Sequence, residues 1–165
     1  IAVADSSTLI LASKVTAMKL IYNYVDLILI PEYVFKEVVE KGKENKKEDA
    51  ILVENLIKEK KIKIIKIKDN KLMKNLIYNF KINQGEAEAV TLAMQEKTPL
   101  LVDDGEAMKI CKIYDIKFIT TLAFLVNLFK DNLLDKESAL IKIETLKRVG
   151  YYSKDVIQDA IRECG

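Results

Sequence analysis

The chain contains no histidine, and it has only two cysteines and two arginines among its 165 residues. The absence of histidine excludes Ser-His-Asp hydrolases, His-Glu-x-x-His metal sites and histidine-dependent ribonuclease chemistry. The spacing of Cys111 and Cys164 matches no metal-ligand motif, and two cysteines do not make a disulfide framework. If this chain is an enzyme, carboxylates, lysines or hydroxyls must carry its chemistry.

Long apolar runs are also missing. No run approaches the roughly 18 residues that would cross a bilayer, and the first residues include an acid where a signal peptide carries basic residues. We therefore expect a cytoplasmic protein with no membrane association.

The basic residues are almost all lysine, since Arg148 and Arg162 are the only arginines. A composition rich in Lys, Ile and Glu is reported for hyperthermophile proteomes, so it suggests a hot habitat.

The net charge of +2 does not mark a strong nucleic-acid binder, but one segment is densely basic. Six lysines lie between positions 58 and 68, and among them Lys61, Lys63 and Lys66 are candidate phosphate contacts. The same lysines would also serve to protect a solvated strand edge. Both interpretations remain open from the sequence.

Short apolar runs alternate with amphipathic helical patterns, which predicts βαβ units. Half of the residues are hydrophobic and 32% are charged, which is typical of a globular chain. We predict a single three-layer α/β/α domain over residues 1–165, with a central parallel sheet of about five strands and closing helices at about 136–163. The strands are expected at Ile1–Ala4, Leu27–Ile30, Ile62–Ile67, Pro99–Val102 and Lys117–Ile119.

Helical patterns occupy most of the remaining sequence. We expect Pro31 in the first turn of its helix, and the charged segment Gly42–Asp49 as a mobile loop. The helices are expected at Thr8–Tyr24, Pro31–Lys41, Glu48–Lys60, Lys71–Asn79, Gly85–Glu96, Gly105–Tyr114, Leu122–Phe129, Lys136–Lys147 and Ser153–Glu163.

The candidate site lies where acids follow strands, because open α/β sheets bind ligands beyond the carboxyl ends of their strands. Asp5 follows the first strand, and Asp103 and Asp104 follow the fourth. Asp5 can ligate a metal or can cap the next helix. Since Ser6, Ser7 or Thr8 would cap equally well, the cap alone does not explain Asp5.

Two glutamates near the start of one helix are predicted to face opposite ways. At 100° per residue, Glu86 falls among Val90, Ala93 and Ala89 on the apolar face, whereas Glu88 points to the polar side. A glutamate on an apolar stripe needs a partner such as a metal. The alternative for Glu86 is a capping box with Asn83.

Three further acids differ in how well their positions support a site. Asp104 falls on the inner face of its helix near Cys111, whereas Asp103 has cap-to-N3 spacing with Glu106. Asp104 is therefore the better candidate ligand of the two. Glu37 only flanks the apolar face of its helix, as a surface glutamate also would.

Converging carboxylates suit a particular chemistry. Mg²⁺ and Mn²⁺ are hard ions that prefer oxygen ligands and keep several waters. Three or four carboxylates can hold one or two such ions, which activate a bound water and neutralise phosphate charge. The sequence has no G-x-x-x-x-G-K-[ST] loop and no G-x-G-x-x-G turn, so other phosphate-hydrolysing classes lack their companion motifs.

The order of these acids resembles the PIN-domain family over nearly the whole chain. Four segments resemble, in order, the family segments that carry its four acids. These are VADSSTLI for the opening aspartate, IPEYVFKEVVEKG for the second acid, GEAEAVTLA for the third and LLVDDGEAMKI for the fourth. The segment FITTLAFLVNLF resembles the one with Gly-Thr-Leu-Gly, although Thr120 and Ala123 replace both glycines. The resemblance implies Asp5, Glu37, Glu86 and Asp104 as catalytic residues.

It also implies a metal-dependent ribonuclease acting on single-stranded RNA, as in toxins of toxin–antitoxin pairs. Mg²⁺ or Mn²⁺ would be held by Asp5, Glu86 and Asp104, with Asp103 sharing the role. Ser6 and Thr121 would join the basic segment in binding substrate. An antitoxin protein and a second copy of the chain are the implied partners. The alternative is a PIN-fold protein that binds RNA or a regulatory partner without cutting.

Overall fold

A computed structural model describes all of residues 1–165 and confirms the three-layer α/β/α fold. All five expected strands are present as β1 Ala2–Ala4, β2 Ile28–Pro31, β3 Ile62–Ile65, β4 Leu100–Leu101 and β5 Phe118–Ile119. The α-helices are α1 Ser6–Lys14, α2 Glu32–Phe35, α3 Lys41–Glu44, α4 Glu48–Lys58, α5 Asn70–Asn79, α6 Gln84–Glu96, α7 Gly105–Ile113, α8 Thr121–Lys130, α9 Lys136–Val149 and α10 Lys154–Glu163.

The sheet is entirely parallel, with strand order β3-β2-β1-β4-β5. On β1, Val3 lies opposite Leu29 of β2 on one side and Leu100 of β4 on the other. The chain first adds strands on one side of β1 and then moves to the other side. This reversal between β1 and β4 is a topological switch point, where open α/β sheets form their ligand crevice.

Each face of the sheet has its own hydrophobic core. Ala2, Ala4, Ile28 and Ile30 point into the core that contains residues of α1, α4, α8 and α9. The alternate residues, such as Val3, point into the core with α5, α6 and α7. Burial on both faces explains why β1, β2 and β4 are continuous apolar runs, whereas the edge strand β3 carries the exposed Lys63.

The expected helix Thr8–Tyr24 is interrupted. Helix α1 ends at Lys14, and a short 3-10 helix covers Met18–Asn23. Thr16 between them adopts φ 56°, which a continuing α-helix does not permit. The Lys142 ammonium donates to the Val15 carbonyl at 2.9 Å and to the Thr16 hydroxyl at 2.7 Å, so a distant helix stabilises the break.

The prediction of a loop at Gly42–Asp49 is wrong for most of that segment. Helix α3 covers Lys41–Glu44 and α4 begins at Glu48, leaving only residues 45–47 between them. Gly42 is buried, and a Cβ at Gly42 would lie 2.7 Å from the Cβ of Ala50. The charged sequence is helical because the two helices pack closely at this glycine.

Between α2 and α3 the helix widens into π-helical turns at Lys36–Glu40. Pro31 stands at the N-cap position before α2, one residue earlier than expected. Since π-helical turns change the angle between successive side chains, an ideal 100° wheel misplaces residues here. This segment carries Glu37.

No helix of the structure combines the length and the apolar character that a membrane span requires.

The contact at Gly42 gives a stability prediction. Gly42→Ala should lower the free energy of unfolding by about 1–2 kcal/mol, because overpacking outweighs the gain in helix propensity. Gly105→Ala is the matched control, since a Cβ there meets no atom within 4 Å. Urea melts of both variants measure the difference. Equal stability of Gly42→Ala and wild type would show that α3 and α4 do not pack this tightly.

Candidate active site at the carboxyl edge of the sheet

Asp5 ends β1 at the switch point, and its side chain is only 2% exposed. Its Oδ1 accepts the backbone N–H of Thr8 at 2.9 Å, so Asp5 is itself the N-cap of α1. The Ser7 hydroxyl donates to both carboxylate oxygens, at 3.1 and 3.2 Å. The cap that seemed equally available to Ser6, Ser7 or Thr8 thus belongs to Asp5.

Asp103 follows β4, the strand next to β1, and its carboxylate is held by two threonines. Its Oδ1 accepts the Thr121 backbone N–H at 2.8 Å, and its Oδ2 accepts the hydroxyls of Thr121 at 2.6 Å and Thr8 at 2.8 Å. Thr8 therefore contacts both acids, with its N–H on Asp5 and its hydroxyl on Asp103. Thr121, which was expected to bind substrate, is 2% exposed and directs its donors to Asp103.

The electrostatics of this pair are unfavourable to two negative charges. The pKa of Asp5 is raised from 3.8 to about 7, mainly by burial and also by the charge of Asp103, against the lowering effect of its hydrogen bonds. Burial likewise raises the pKa of Asp103, which the threonine hydrogen bonds partly offset. The pKa of the buried Cys111 thiol rises to about 11, through burial and the nearby Asp5, so this thiol is unreactive at neutral pH.

The two aspartates after β4 have exchanged the positions expected for them. Asp104, not Asp103, is the N-cap of α7, and its Oδ2 accepts the Ala107 N–H at 2.9 Å. Asp103 turns inward instead. Helix α7 starts at Gly105, as its predicted bounds had it, so the residue directly before it is Asp104 and the Asp103–Glu106 capping box does not form. The second oxygen of Asp104 makes no hydrogen bond within the protein.

Glu86 is half-buried and takes part in a complete capping box at the start of α6. Its N–H donates to the Asn83 side chain at 2.9 Å, and its Oε2 accepts the Asn83 N–H at 3.0 Å. Burial raises the pKa of Glu86, and the charges of Asp104 and Glu37 raise it further. Capping and proximity to the other acids thus occur together, and they are not alternatives.

The expectation that Glu88 faces solvent is wrong. Glu88 is 7% exposed and accepts the Gln84 amide at 3.0 Å, while burial raises its pKa. Helix α6 is covered on most sides, with Thr91 also buried, so a polar residue on its wheel does not mark a solvent face. Glu88 lines neither of the acid-lined cavities described below, and its charged neighbours are Glu32 and Lys36.

Glu37 reaches the site from the π-helical segment. Its Oε1 accepts the Ser6 hydroxyl at 3.2 Å, which links it to the residue directly after Asp5. A Cβ on Gly85 would collide with the same oxygen, so the glycine before Glu86 leaves room for the Glu37 carboxylate. The placement that the sequence pattern alone did not support therefore arises from the π-helical turns and from Gly85.

Two adjoining cavities collect these acids, and both are lined by Ser7, Ile10 and Glu86. The smaller, of about 200 Å³, adds Asp5, Ser6 and Glu37 to its lining. The larger, of about 520 Å³, adds two aspartates, one lysine and two tyrosines. These are Asp103, Asp104, Lys14, Tyr151 and Tyr152.

The basic segment lies elsewhere. Lys61, Lys63 and Lys66 are exposed along or beside the edge strand β3, and none of them lines the acid-lined cavities. Lys61 precedes the strand, at the opposite end of the sheet from the acids, where it pairs with Glu59 at 3.9 Å. Lys66 follows the strand and is the nearest of the three to the carboxyl edge.

The donor set matches the chemistry of a hard cation. None of the five acids forms a salt bridge, since all six ion pairs of the structure lie elsewhere. The carboxylates do not yet converge as a ready-made group of three ligands. Free oxygens remain on Asp104, Glu37 and Glu86. Uncompensated carboxylates of this kind fit Mg²⁺ or Mn²⁺.

Sequence reasoning missed Thr8, Lys14 and the tyrosine pair. Thr8 was considered only as a cap, and its hydroxyl reaches Asp103 across 95 residues of sequence. The signal for the tyrosines was available: Tyr151 and Tyr152 are adjacent aromatic residues between two closing helices, in a chain with 7% aromatic residues. Nothing in the sequence pattern singles out Lys14.

Parallel strands that carry acids around the switch point define an α/β/α protein with a carboxylate-based site. The chain belongs to the PIN-domain family, since the model of the family DUF3368, described as a PIN domain, matches residues 1–165. This confirms the resemblance seen in the sequence. PIN domains are generally nucleases, so a hydrolase is the class of activity that the family supports.

A similar solved structure is a chain of a toxin–antitoxin complex from Klebsiella pneumoniae. It shares 17% sequence identity, covers 66% of this chain and 90% of its own length, and superposes with a TM-score of 0.52. No curated protein matches the chain significantly. At this identity the likeness concerns the fold.

The raised pKa of Asp5 predicts a pH dependence of stability in chelator. Between pH 4 and 7 the unfolded chain loses this proton and the folded chain keeps it, so this contribution to stability falls as pH rises. Asp5→Asn keeps the cap and removes the buried charge. We expect the variant to exceed wild type by about 2–4 kcal/mol at pH 8 and by little at pH 4.

Asp135→Asn is the matched control. Asp135 also caps a helix, but it is exposed and its backbone hydrogen bond with Ser138 lowers its pKa. Its contribution is present at neutral pH and is lost in acid, so this variant should gain nothing at pH 8. Denaturant melts across pH measure both. If the free energies of unfolding of Asp5→Asn and wild type changed in parallel with pH, the pKa of Asp5 would not be raised in the folded protein.

Proposed function

We propose that this protein is a metal-dependent endoribonuclease that hydrolyses phosphodiester bonds in single-stranded RNA. The observation that carries the proposal is the pair of acids at the switch point, Asp5 and Asp103, which Thr8 holds together and which form no salt bridge. Such a pair is costly unless a cation completes it. The family supports the nuclease class.

Each acid has a role that follows from its contacts. Asp5 and Asp103 form the buried centre, while Glu37, Glu86 and Asp104 present free oxygens from three other elements. Asp5, Asp103, Asp104 and Glu86 are the proposed metal ligands, with Glu37 completing the catalytic set. Bound Mg²⁺ or Mn²⁺ supplies an activated water and neutralises charge on the phosphate.

The remaining residues of the site hold the carboxylates in place or neutralise phosphate charge. Thr8 and Thr121 hold Asp103 through hydroxyl groups, so its carboxylate does not rotate freely. Ser6 orients Glu37. Lys14 is the cationic side chain in the larger cavity, where it can pair with a phosphate of the substrate. Lys66 and Lys63 would extend the contact with RNA along the sheet edge, and Lys61 lies farthest from that path.

An antitoxin and a second copy of the chain are proposed partners. The support is the similar fold of a chain in a toxin–antitoxin complex. A toxin of this class would be kept inactive by a protein that covers the acid-lined cavities. A nuclease active in the cell without such a protein would be expected to be harmful.

The first test is cleavage of single-stranded RNA with Mg²⁺ or Mn²⁺ and with excess chelator. We expect cleavage only with metal, and a loss of about 10²-fold or more in rate for Asp5→Asn, the scale for removing one electrostatic contributor. Asp135→Asn should cleave normally. Cleavage that persists in chelator would contradict the metal mechanism. Metal-dependent RNA binding without cleavage would favour a regulatory PIN-fold protein.

The two glutamates of α6 give a second test. Glu86→Gln retains the capping box, because glutamine also serves at this position, and it removes one ligand charge. We expect a folded protein with cleavage lost and metal affinity lowered. Glu88→Gln changes a buried acid that accepts from Gln84 and faces neither cavity, so metal affinity should not change.

The measurements are rate per folded molecule and Mn²⁺ affinity by calorimetry. Normal activity of Glu86→Gln would restrict Glu86 to helix capping. A folded Glu88→Gln protein with lost metal affinity would show that the ligand was assigned to the wrong glutamate.

A further inference from the structure

The loop between α9 and α10 carries a fully exposed aromatic ring beside the acidic site. Tyr151 is 104% exposed, whereas Tyr152 next to it is half-buried. Both line the larger cavity, whose lining also includes Asp103, Asp104 and Glu86. The same cavity therefore carries aromatic and acidic side chains.

Tyr152 anchors the loop, and this anchoring presents Tyr151 to solvent. The Tyr152 ring packs against the core on the α1 side of the sheet. A Cβ on Gly150 would lie 3.1 Å from that ring and 2.9 Å from the Leu146 carbonyl, so a glycine is needed for the close approach. The Tyr152 hydroxyl is buried and makes no hydrogen bond, so the residue anchors the loop through the packing of its ring.

Position, not exposure alone, distinguishes Tyr151. Tyr78 on α5 is also 89% exposed, but it lines neither acid-lined cavity. Lys14 lies in the same cavity as Tyr151 and offers a cation to a phosphate. An aromatic face and a lysine along one groove are the two elements by which proteins hold single-stranded nucleic acid.

We propose that Tyr151 is a base-stacking platform that holds a nucleobase of single-stranded RNA next to the acidic site. This subsite deepens the proposed function, on which it rests for the identity of the ligand. Stacking needs only the face of a base, so the subsite would favour unpaired strands over duplexes without reading sequence. Tyr152 acts as a positioning residue for the loop.

The experiment measures binding of a fluorescein-labelled single-stranded oligouridine by anisotropy, in chelator and at low salt. Tyr151→Ala should weaken binding about 5- to 150-fold, the range for loss of one stacked base, and Tyr151→Phe should stay within about two-fold of wild type. Tyr78→Ala is the matched exposed control and should bind as wild type does. With an abasic oligomer of the same length, wild type and Tyr151→Ala should bind equally.

The chelator separates this test from the test of cleavage. Normal oligouridine binding by Tyr151→Ala would overturn the subsite, as would no binding by wild type, and cleavage with Mg²⁺ would leave the nuclease standing in both cases. An equal loss with the abasic oligomer would also overturn it, because the ring would then not contact a base. Base-dependent loss in Tyr151→Ala with no cleavage under any metal would support the subsite and remove the nuclease.

Discussion

The site depends on one contact, the bridge that Thr8 makes between two carboxylates. Its N–H binds Asp5 at 2.9 Å and its hydroxyl binds Asp103 at 2.8 Å. Because Asp5 ends β1 and Asp103 follows β4, this threonine connects the two strands that flank the switch point. The acids that repel each other are thereby held side by side, and the hydrogen bonds offset only part of the penalty of burying them.

A buried pair of carboxylates destabilises the fold unless a cation neutralises its charge. Hydrogen bonds can stabilise a buried carboxylate, but they do not cancel its charge. The pKa of Asp5, raised to about 7, expresses that destabilisation as a tendency to keep a proton. A metal ion bound as proposed would take the place of the proton and permit full ionisation, which would couple metal binding to stability through the same atoms.

The outer acids show how one residue can serve the fold and the site together. Asp104 and Glu86 each use one oxygen to cap a helix and leave the other oxygen free. Capping orients a carboxylate without blocking it, and it places the acid at the positive end of a helix. Carboxylates at helix starts are therefore compatible with metal binding, because capping a helix and ligating a metal use different oxygens of the same group.

The sequence alone was sufficient for the three-layer fold class and for the positions of the strands. All five strands were predicted within a few residues, because burial on both sheet faces makes most of them short apolar runs between amphipathic helices. Asp5, Asp103, Asp104 and Glu86 were candidates because they stand after strands or at helix starts, whereas Glu37 was a candidate only through the family resemblance. Tertiary structure decided which carboxylate faces inward. Hydrogen bonds from Thr8 and Thr121 hold Asp103 inward, neighbouring elements bury Glu88, and a hydrogen bond from Ser6 holds Glu37 at the site. Each of these outcomes depends on contacts between residues far apart in the chain, which no local periodicity encodes.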